Sequence, residues 1–307
     1  MAPMSHGSRH SDVVRFRVVP AEQGMLLTHV LARRMPNTSV QTAQELVRAG
    51  GVYIGRTRIR VPTVRVAAGE RLTVHCSALA VSPLSIEQVK LLHRDPYLVI
   101  VDKPPGVPVT ATRESARGSL AEALVGVLEA QGVIRPYVGV VHRLDRGASG
   151  LVLFTVRSSA NRSLHRLFME HAIERTYLAE LVGIVPDQCE CDASVIVIEG
   201  HDVRIARSGE HNALAAHTSF RRLAAFEGRS LVEVVLATGR THQIRVHAAH
   251  LGHPIVGDAR YGNSGVAGLH LHAFRLAFEH PVTHESVRVE APWPDWATQS
   301  VSDQRQP

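Results

Sequence analysis

Three cysteines in 307 residues, Cys76, Cys189 and Cys191, do not make a disulfide framework. The count is odd, and one residue separates the last two. A fold that lacks this staple suits a reducing compartment, so a cytoplasmic location is expected. Cys189 and Cys191 are half a zinc site at most, because no second thiol pair accompanies them. There is no run of 18 apolar residues, so no transmembrane helix is expected and a membrane is not a partner. The first 15 residues are polar and have no apolar stretch of the kind a secretory leader needs. The nineteen histidines crowd at His242, His247, His250, His253, His270 and His272, yet no pair has the adjacent Glu of the metalloprotease helix. They read as neutral polar filler, and no metal is expected. A nucleophile elbow is also missing, which counts against a hydrolase.

Against these absences stand a 45% hydrophobic content, enough for a sizeable core, and a formal charge of +6. The length allows one large or two modest domains. A basic balance points to an acidic partner and says nothing of fold.

Residues 1–12 are polar and expected to be disordered. Residues 13–76 form a small unit. Met25 to Met35 has a helical pattern that ends at Pro36, and Asn37-Thr38-Ser39 offers caps for a second helix over 40–49 with Val40, Ala43 and Val47 on one face. Gly50-Gly51 stops it, and short strands follow around Val52, Ile59 and Val74. Arg56, Arg58 and Arg60 alternate, so an extended segment would project all three from one side toward RNA phosphates. With Gly50-Gly51-Val52-Tyr53-Ile54-Gly55, this unit resembles an S4-type RNA-binding domain, although its helices depart from the usual Arg, Asp and Ser-Arg positions.

Residues 77–85 are small, uncharged and proline-bearing, as in a linker. A second domain is expected over 86–292, followed by a tail over 293–307. Strands are read at 97–102, 151–156, 177–182, 217–224, 230–237, 269–278 and 286–290, and helices at 119–131, 158–171 and 241–251, with Ser158 as a cap. Strands outnumber helices and do not alternate with them, so the class is α+β rather than a doubly wound sheet.

The densest chemistry lies in His142-Arg143-Leu144-Asp145-Arg146, which runs through Ser149-Gly150 into an apolar strand. Neighbouring positive charge favours a carboxylate over its acid. Such an Asp in a loop that enters a strand suits a nucleophile or base working on a polyanion. An isolated Asp–Arg surface pair would be the plainer explanation.

Three more segments join it in order: Asp102-Lys103-Pro104-Pro105-Gly106, Arg175-Thr176-Tyr177-Leu178-Ala179, and Thr238-Gly239-Arg240-Thr241-His242-Gln243-Ile244-Arg245-Val246-His247. Over residues 86–292 the chain closely resembles the RluA-type family of pseudouridine synthases. The resemblance implies a pseudouridine synthase fold with a central mixed or antiparallel sheet. The implied activity breaks the bond from ribose to N1 of uracil in RNA, turns the base and rejoins it through C5, without cofactor or metal. It makes Asp145 the nucleophile or base, whether at C1′ or at the C2′ proton. Arg245 becomes its guanidinium partner, and Tyr177 the ring beneath the uracil, able to serve at the last proton transfer. Ile244 and Leu271 would wall the pocket. His142 and Arg143 would contact RNA beside the flipped base, with Arg143 filling the vacated stack. Lys103 and Arg240 would contact phosphates. Ala148 stands where the family has Thr, and Arg175 where it has Lys. Family members with an S4-like domain point to large-subunit ribosomal RNA, with transfer RNA as the alternative substrate. A non-catalytic RNA-binding or ribosome-assembly protein on the same scaffold is the competing class. A monomer is the simplest expectation.

Overall fold

The computed structural model describes residues 13–198, 202–262 and 265–302. Residues 1–12, expected to be disordered, lie outside the described residues, as do the last five of the expected tail. The described chain divides into two compact units. One holds the residues up to Ile86 together with Thr110–Gly126, and the other holds Glu87–Val109 and the residues from Val127 onward. Residues 110–126 therefore fold with the first unit, although their sequence position suggested the second.

In the first unit the elements are β1 (Val13–Arg17), α1 (Leu27–Arg34), α2 (Val40–Arg48), β2 (Val52–Ile54), β3 (Thr57–Ile59) and β4 (Arg71–His75). The sheet is antiparallel with the order β1-β4-β2-β3. α1 turns Leu27, Val30 and Leu31 inward, and none of them is exposed. That is the i, i+3, i+4 spacing of an amphipathic helix. In α2 the inward face is Ala43, Leu46 and Val47, whereas Val40 is exposed, unlike the expected stripe. Ser39 is the cap of α2, and its Oγ accepts from Thr42 N at 3.0 Å. The residues expected to be linker begin as a short 3-10 helix, Cys76–Ala80, because Ala78 is drawn into the core with Val52 and Val74.

The second unit is built on one ten-stranded sheet. In chain order its parts are β5 (Lys90–Arg94), β6 (Leu98–Lys103), α3 (Leu120–Ala130), which begins in the first unit's segment, β7 (Gly139–Val140), β8 (Ser149–Thr155), α4 (Ser158–Met169), β9 (Glu174–Val182) and β10 (Gln188–Cys191). A separate hairpin, β11 (Val195–Val197) and β12 (Val203–Ile205), precedes β13 (Thr218–Phe226), β14 (Arg229–Leu236), α5 (Gln243–His250), β15 (Leu271–Glu279), β16 (Ser286–Glu290) and α6 (Asp295–Ser302). The sheet runs β10-β13-β14-β9-β15-β8-β6-β5, with β16 also on β15 and β7 on β8. Every pairing is antiparallel except β15 with β8. The class is α+β with a large mixed sheet. β8 and β9 are almost wholly buried; β8 accordingly carries an unbroken apolar run over residues 151–154, whereas β9 buries Arg175, Thr176 and Glu180 among its apolar residues. No helix among the described residues is long and apolar enough to cross a membrane.

The parallel contact fixes one glycine. Gly150 has φ +99, and a Cβ there would lie 2.2 Å from the Ala273 carbonyl oxygen. Only glycine allows the strand that leaves the Asp145 loop to lie this close to β15. The catalytic-type loop and the strand carrying Leu271 are thereby brought together.

Candidate active site

Asp145 sits between β7 and β8, in a turn closed by Ala148 N donating to its carbonyl at 3.2 Å. A second loop fastens this turn. Lys103, at the end of β6, is fully buried, and its Nζ donates to the carbonyls of Pro104 (2.9 Å), Val107 (2.8 Å) and Arg146 (3.2 Å). Arg146 Nε returns a bond to Gly106 O at 2.8 Å. Burial lowers the Lys103 ammonium to about 7, although the nearby charges of Asp145 and Asp102 oppose the drop. Lys103 thus clamps backbone and does not reach outward, which corrects the phosphate contact expected of it.

The cation beside Asp145 comes from far along the chain, not from Arg143 or Arg146. Arg245 Nη1 donates to Asp145 Oδ2 at 2.9 Å. The bidentate fork of this guanidinium goes elsewhere. Arg245 Nε and Nη2 bind Asp258 Oδ2 and Oδ1 at 2.7 and 2.8 Å. Asp258 is 2% exposed and also accepts from the backbone N–H groups of Arg260 and Tyr261. Burial alone would raise the Asp258 carboxyl, but the Arg245 fork and these N–H groups hold it below the usual range. Burial likewise works against the Arg245 charge, yet its bonds to Asp258 and Asp145 raise it above an ordinary arginine.

Tyr261 completes the group. Its ring lies under the Arg245 guanidinium at 5.1 Å, and its hydroxyl is 2.9 Å from His242 Nδ1. His242 Nε2 stands 3.7 Å from Asp145 Oδ1. His242 heads α5 with φ 53, in the left-handed region. Burial lowers its pKa, with the Arg245 and Arg260 charges adding to the effect and Asp145 opposing it. Asp258, Tyr261 and the role of His242 escaped the sequence reading. His242 lay inside a recognised motif, but nothing around Asp258 marks it as a partner.

The remainder of the 238–247 segment explains how α5 is held. Gln243 Nε2 donates to His217 O and Thr218 Oγ1, and its Oε1 accepts from Thr238 Oγ1 and Arg240 N. His247 is fully buried between Thr218 Oγ1 and Ala193 O, a satisfied core histidine.

Asp145, Tyr177, Ile244 and Leu271 line one recess of about 70 Å³, with Leu236 and Ala148. Tyr177 is 8% exposed. Burial raises its pKa, helped by Asp145 and opposed by Arg175. The recess opens into an outer cleft of about 420 Å³, bordered by Arg143, Arg240, Arg175, His165 and His171. Arg143 is exposed at the mouth. Arg240 borders both spaces and ties its Nε to Ala215 O at 3.1 Å. Arg175 is 8% exposed, and its Nε has no protein partner. His142 differs from its expected part in RNA contact. Its Nε2 accepts from Leu153 N at 2.9 Å, its ring stacks on Phe168, and burial, with the Arg175 charge, lowers it to about 3. It pins the loop to β8.

In the first unit, Arg56 and Arg60 are exposed, but Arg58 turns back. Its guanidinium bonds the Tyr53 hydroxyl and the carbonyls of Thr112 and Arg113. The expected row of three free arginines is therefore two.

The geometry describes a carboxylate held by one arginine in a recess walled on one side by Tyr177, Ile244, Leu236 and Leu271, behind a basic cleft. It can seat a planar base and present a carboxylate oxygen to an attached sugar. A model of the RNA pseudouridylate synthase family matches residues 97–250. Ribosomal large subunit pseudouridine synthase C of Yersinia pestis is 33% identical over 314 residues, covering 92% of this chain and 93% of that protein. An uncharacterized RNA pseudouridine synthase of Aquifex aeolicus is 31% identical, covering 93% and 95%. The solved structure of Human RNA Pseudouridylate Synthase Domain Containing 1 matches with a TM-score of 0.58 at 26% identity, over 74% of this chain and 98% of that one.

Proposed function

Because the chain belongs to the RNA pseudouridylate synthase family and is an RNA pseudouridine synthase, we propose that the uridines it isomerises lie in large-subunit ribosomal RNA. The substrate reading rests on relatives of that name that match along nearly their whole length. The observation that carries the site is the 2.9 Å contact of Arg245 with Asp145 at the recess shared with Tyr177.

In the proposed mechanism the uridine leaves its stack, at a cost of a few kcal/mol that is least in loops, and enters the recess. Arg245 holds Asp145 Oδ2, so the carboxylate is oriented and a lone pair remains for C1′ or for the C2′ proton. Ile244 and Leu271 hold the detached uracil away from water while it turns. Tyr177 lies against the base, and burial keeps its hydroxyl protonated at neutral pH; as the bond to C5 forms, C5 gives up its proton and N1 takes one, so the product is an isomer of the substrate. Arg143 fills the gap in the RNA stack, and Arg240 and Arg175 face phosphates in the outer cleft. The first unit serves as an S4-like RNA-binding domain through Arg56 and Arg60. The proposed working form is a monomer, acting in the cytoplasm.

The test has two parts. Asp145→Asn should abolish tritium release from C5-labelled uridine RNA, by at least about 1000-fold, and leave RNA binding within about threefold. Full turnover in that variant would remove Asp145 from the chemistry. Pseudouridine maps of total RNA with and without the gene should differ in large-subunit ribosomal RNA. A difference confined to transfer RNA would overturn the substrate.

A further inference from the structure

A second cavity, of about 470 Å³, lies in the same unit away from the carboxylate. Its lining carries Arg94, Arg135 and Arg157, with Tyr137 and the first-turn residues Ser158 and Ser159 of α4. All three arginines are exposed. Arg94 bonds the Gln131 side chain and Arg157 Nε bonds Pro96 O at 3.1 Å, so neither is neutralised by a carboxylate in these bonds. The one acid in the lining, Asp95, is engaged elsewhere. Its Oδ1 accepts from Tyr97 N and Leu98 N, and its Oδ2 faces His93 and His280. The cavity therefore keeps an excess of positive charge that the catalytic site does not use.

Its position gives that charge a purpose. α4 starts at this cavity, and its far end, His165, Phe168 and Met169, borders the outer catalytic cleft. Twelve residues of helix span roughly 18 Å. The exposed residues of α4 are Ser158, Ser159, Arg162, His165, Arg166 and Met169, spaced so that they form one face. Arg166 pairs with Glu170 at 4.0 Å, in an exposed pair of little worth. A basic stripe thus links the arginine cavity to the cleft over a length that a single strand covers in a few nucleotides.

We propose that the RNA strand flanking the flipped uridine runs along the exposed face of α4 and seats backbone phosphate in the Arg94–Arg135–Arg157 cavity. This rests on the chain's being an RNA-modifying enzyme, and it assigns the path of the strand outside the catalytic cleft. Arginine forks suit phosphate, and such contacts position a strand without reading its sequence.

The experiment compares the full-length wild type with Arg135→Ala/Arg157→Ala, using a fluorescein-labelled twenty-nucleotide oligouridylate and anisotropy over a salt series. As a charge control, Arg221→Ala/Arg288→Ala removes the same charge from exposed strand positions outside the cavity. The cavity variant should bind about 10-fold more weakly at 100 mM salt. The slope of log K against log salt should flatten by about 1.4, since each released phosphate contact on a single strand is worth roughly 0.7. Tritium release from ribosomal RNA should show a raised KM with kcat unchanged. Unchanged affinity and slope, or an equal loss in the control, would overturn the proposal. A wild type that binds the oligomer but releases no tritium from ribosomal RNA would instead count against the substrate reading, because the binding comparison does not depend on turnover.

Discussion

Replacing Asp258 by Asn keeps its shape and removes the charge that fixes the Arg245 fork. Breaking a buried pair costs about 3–5 kcal/mol, because the remaining charge loses its partner. Asp258→Asn should lower the midpoint of thermal unfolding clearly and cut tritium release by at least about 10-fold, since Asp145 is then the one carboxylate left to Arg245 in this group. A variant that melts with the wild type would show that Asp258 is not what fixes Arg245. His242 makes a different kind of prediction. Its pKa lies below the usual 6.5, so it is neutral near pH 7. Once protonated, it would become a second cation facing Asp145 Oδ1, 3.7 Å away. Rate constants should fall on the acid side, below pH 6.5, and His242→Gln should lose that limb. An identical profile in both proteins would exclude His242 as its source. At this scale Asp145, Tyr177, Ile244, Arg245 and Leu271 were named through the family resemblance of their motifs, and the fold gathers all five around one recess. Asp258 was not legible, because its importance arises only when α5 is placed over it.

Elements with a clear apolar pattern were easy to read: β8 and α2 fall within two residues of their expected bounds, while β9 begins three residues early, at the polar Glu174-Arg175-Thr176. Polar ones were missed. β10 carries Gln-Cys-Glu-Cys at a sheet edge, and β11 and β12 have only three residues each. α6 occupies the stretch expected to be tail, where His270 stacks on Trp296 with ring centroids 5.0 Å apart. The cap of α4 is Arg157, with no side-chain bond, rather than Ser158. Two histidines beside β8, His272 buried and His142 half-buried, make stability depend on pH. His272, on β15, is lowered to about 4 by burial, and His142 to about 3. Both folded values lie below the unfolded value of about 6.5. Between these limits the unfolded chain binds protons that the folded one refuses, so stability falls as pH drops from about 6.5 toward 4 and on toward 3. Melting temperatures over pH 4–8 should show that decline, and His272→Gln should make it shallower. A flat curve in the wild type would contradict the neutrality of both rings in the folded chain.

For the whole molecule, the order of residues and the order of folding differ. A chain lacking residues 1–86 looks in sequence like a clean removal of the N-terminal domain. It would leave residues 110–126 without their partners: Ala116 N and Ser115 Oγ donate to Ala49 O at 2.8 and 3.2 Å, and Arg58 reaches the carbonyls of Thr112 and Arg113. The truncated protein should unfold at a lower temperature and less cooperatively than the full chain, by calorimetry. Equal melting would show that the segment folds well without the rest of its unit. Nothing in residues 110–126 announces this membership, because Ala116 and Ser115 are small, unremarkable side chains whose contact with Ala49 depends on close backbone approach.

The chain crosses between its two units after Ile86, after Val109 and after Gly126. Exchange of the N-terminal module with a relative's therefore cannot be done as a single cassette. A chimaera would need three junctions in register, and a recombination event at residue 86 alone would graft one protein's helices onto another protein's buried insert.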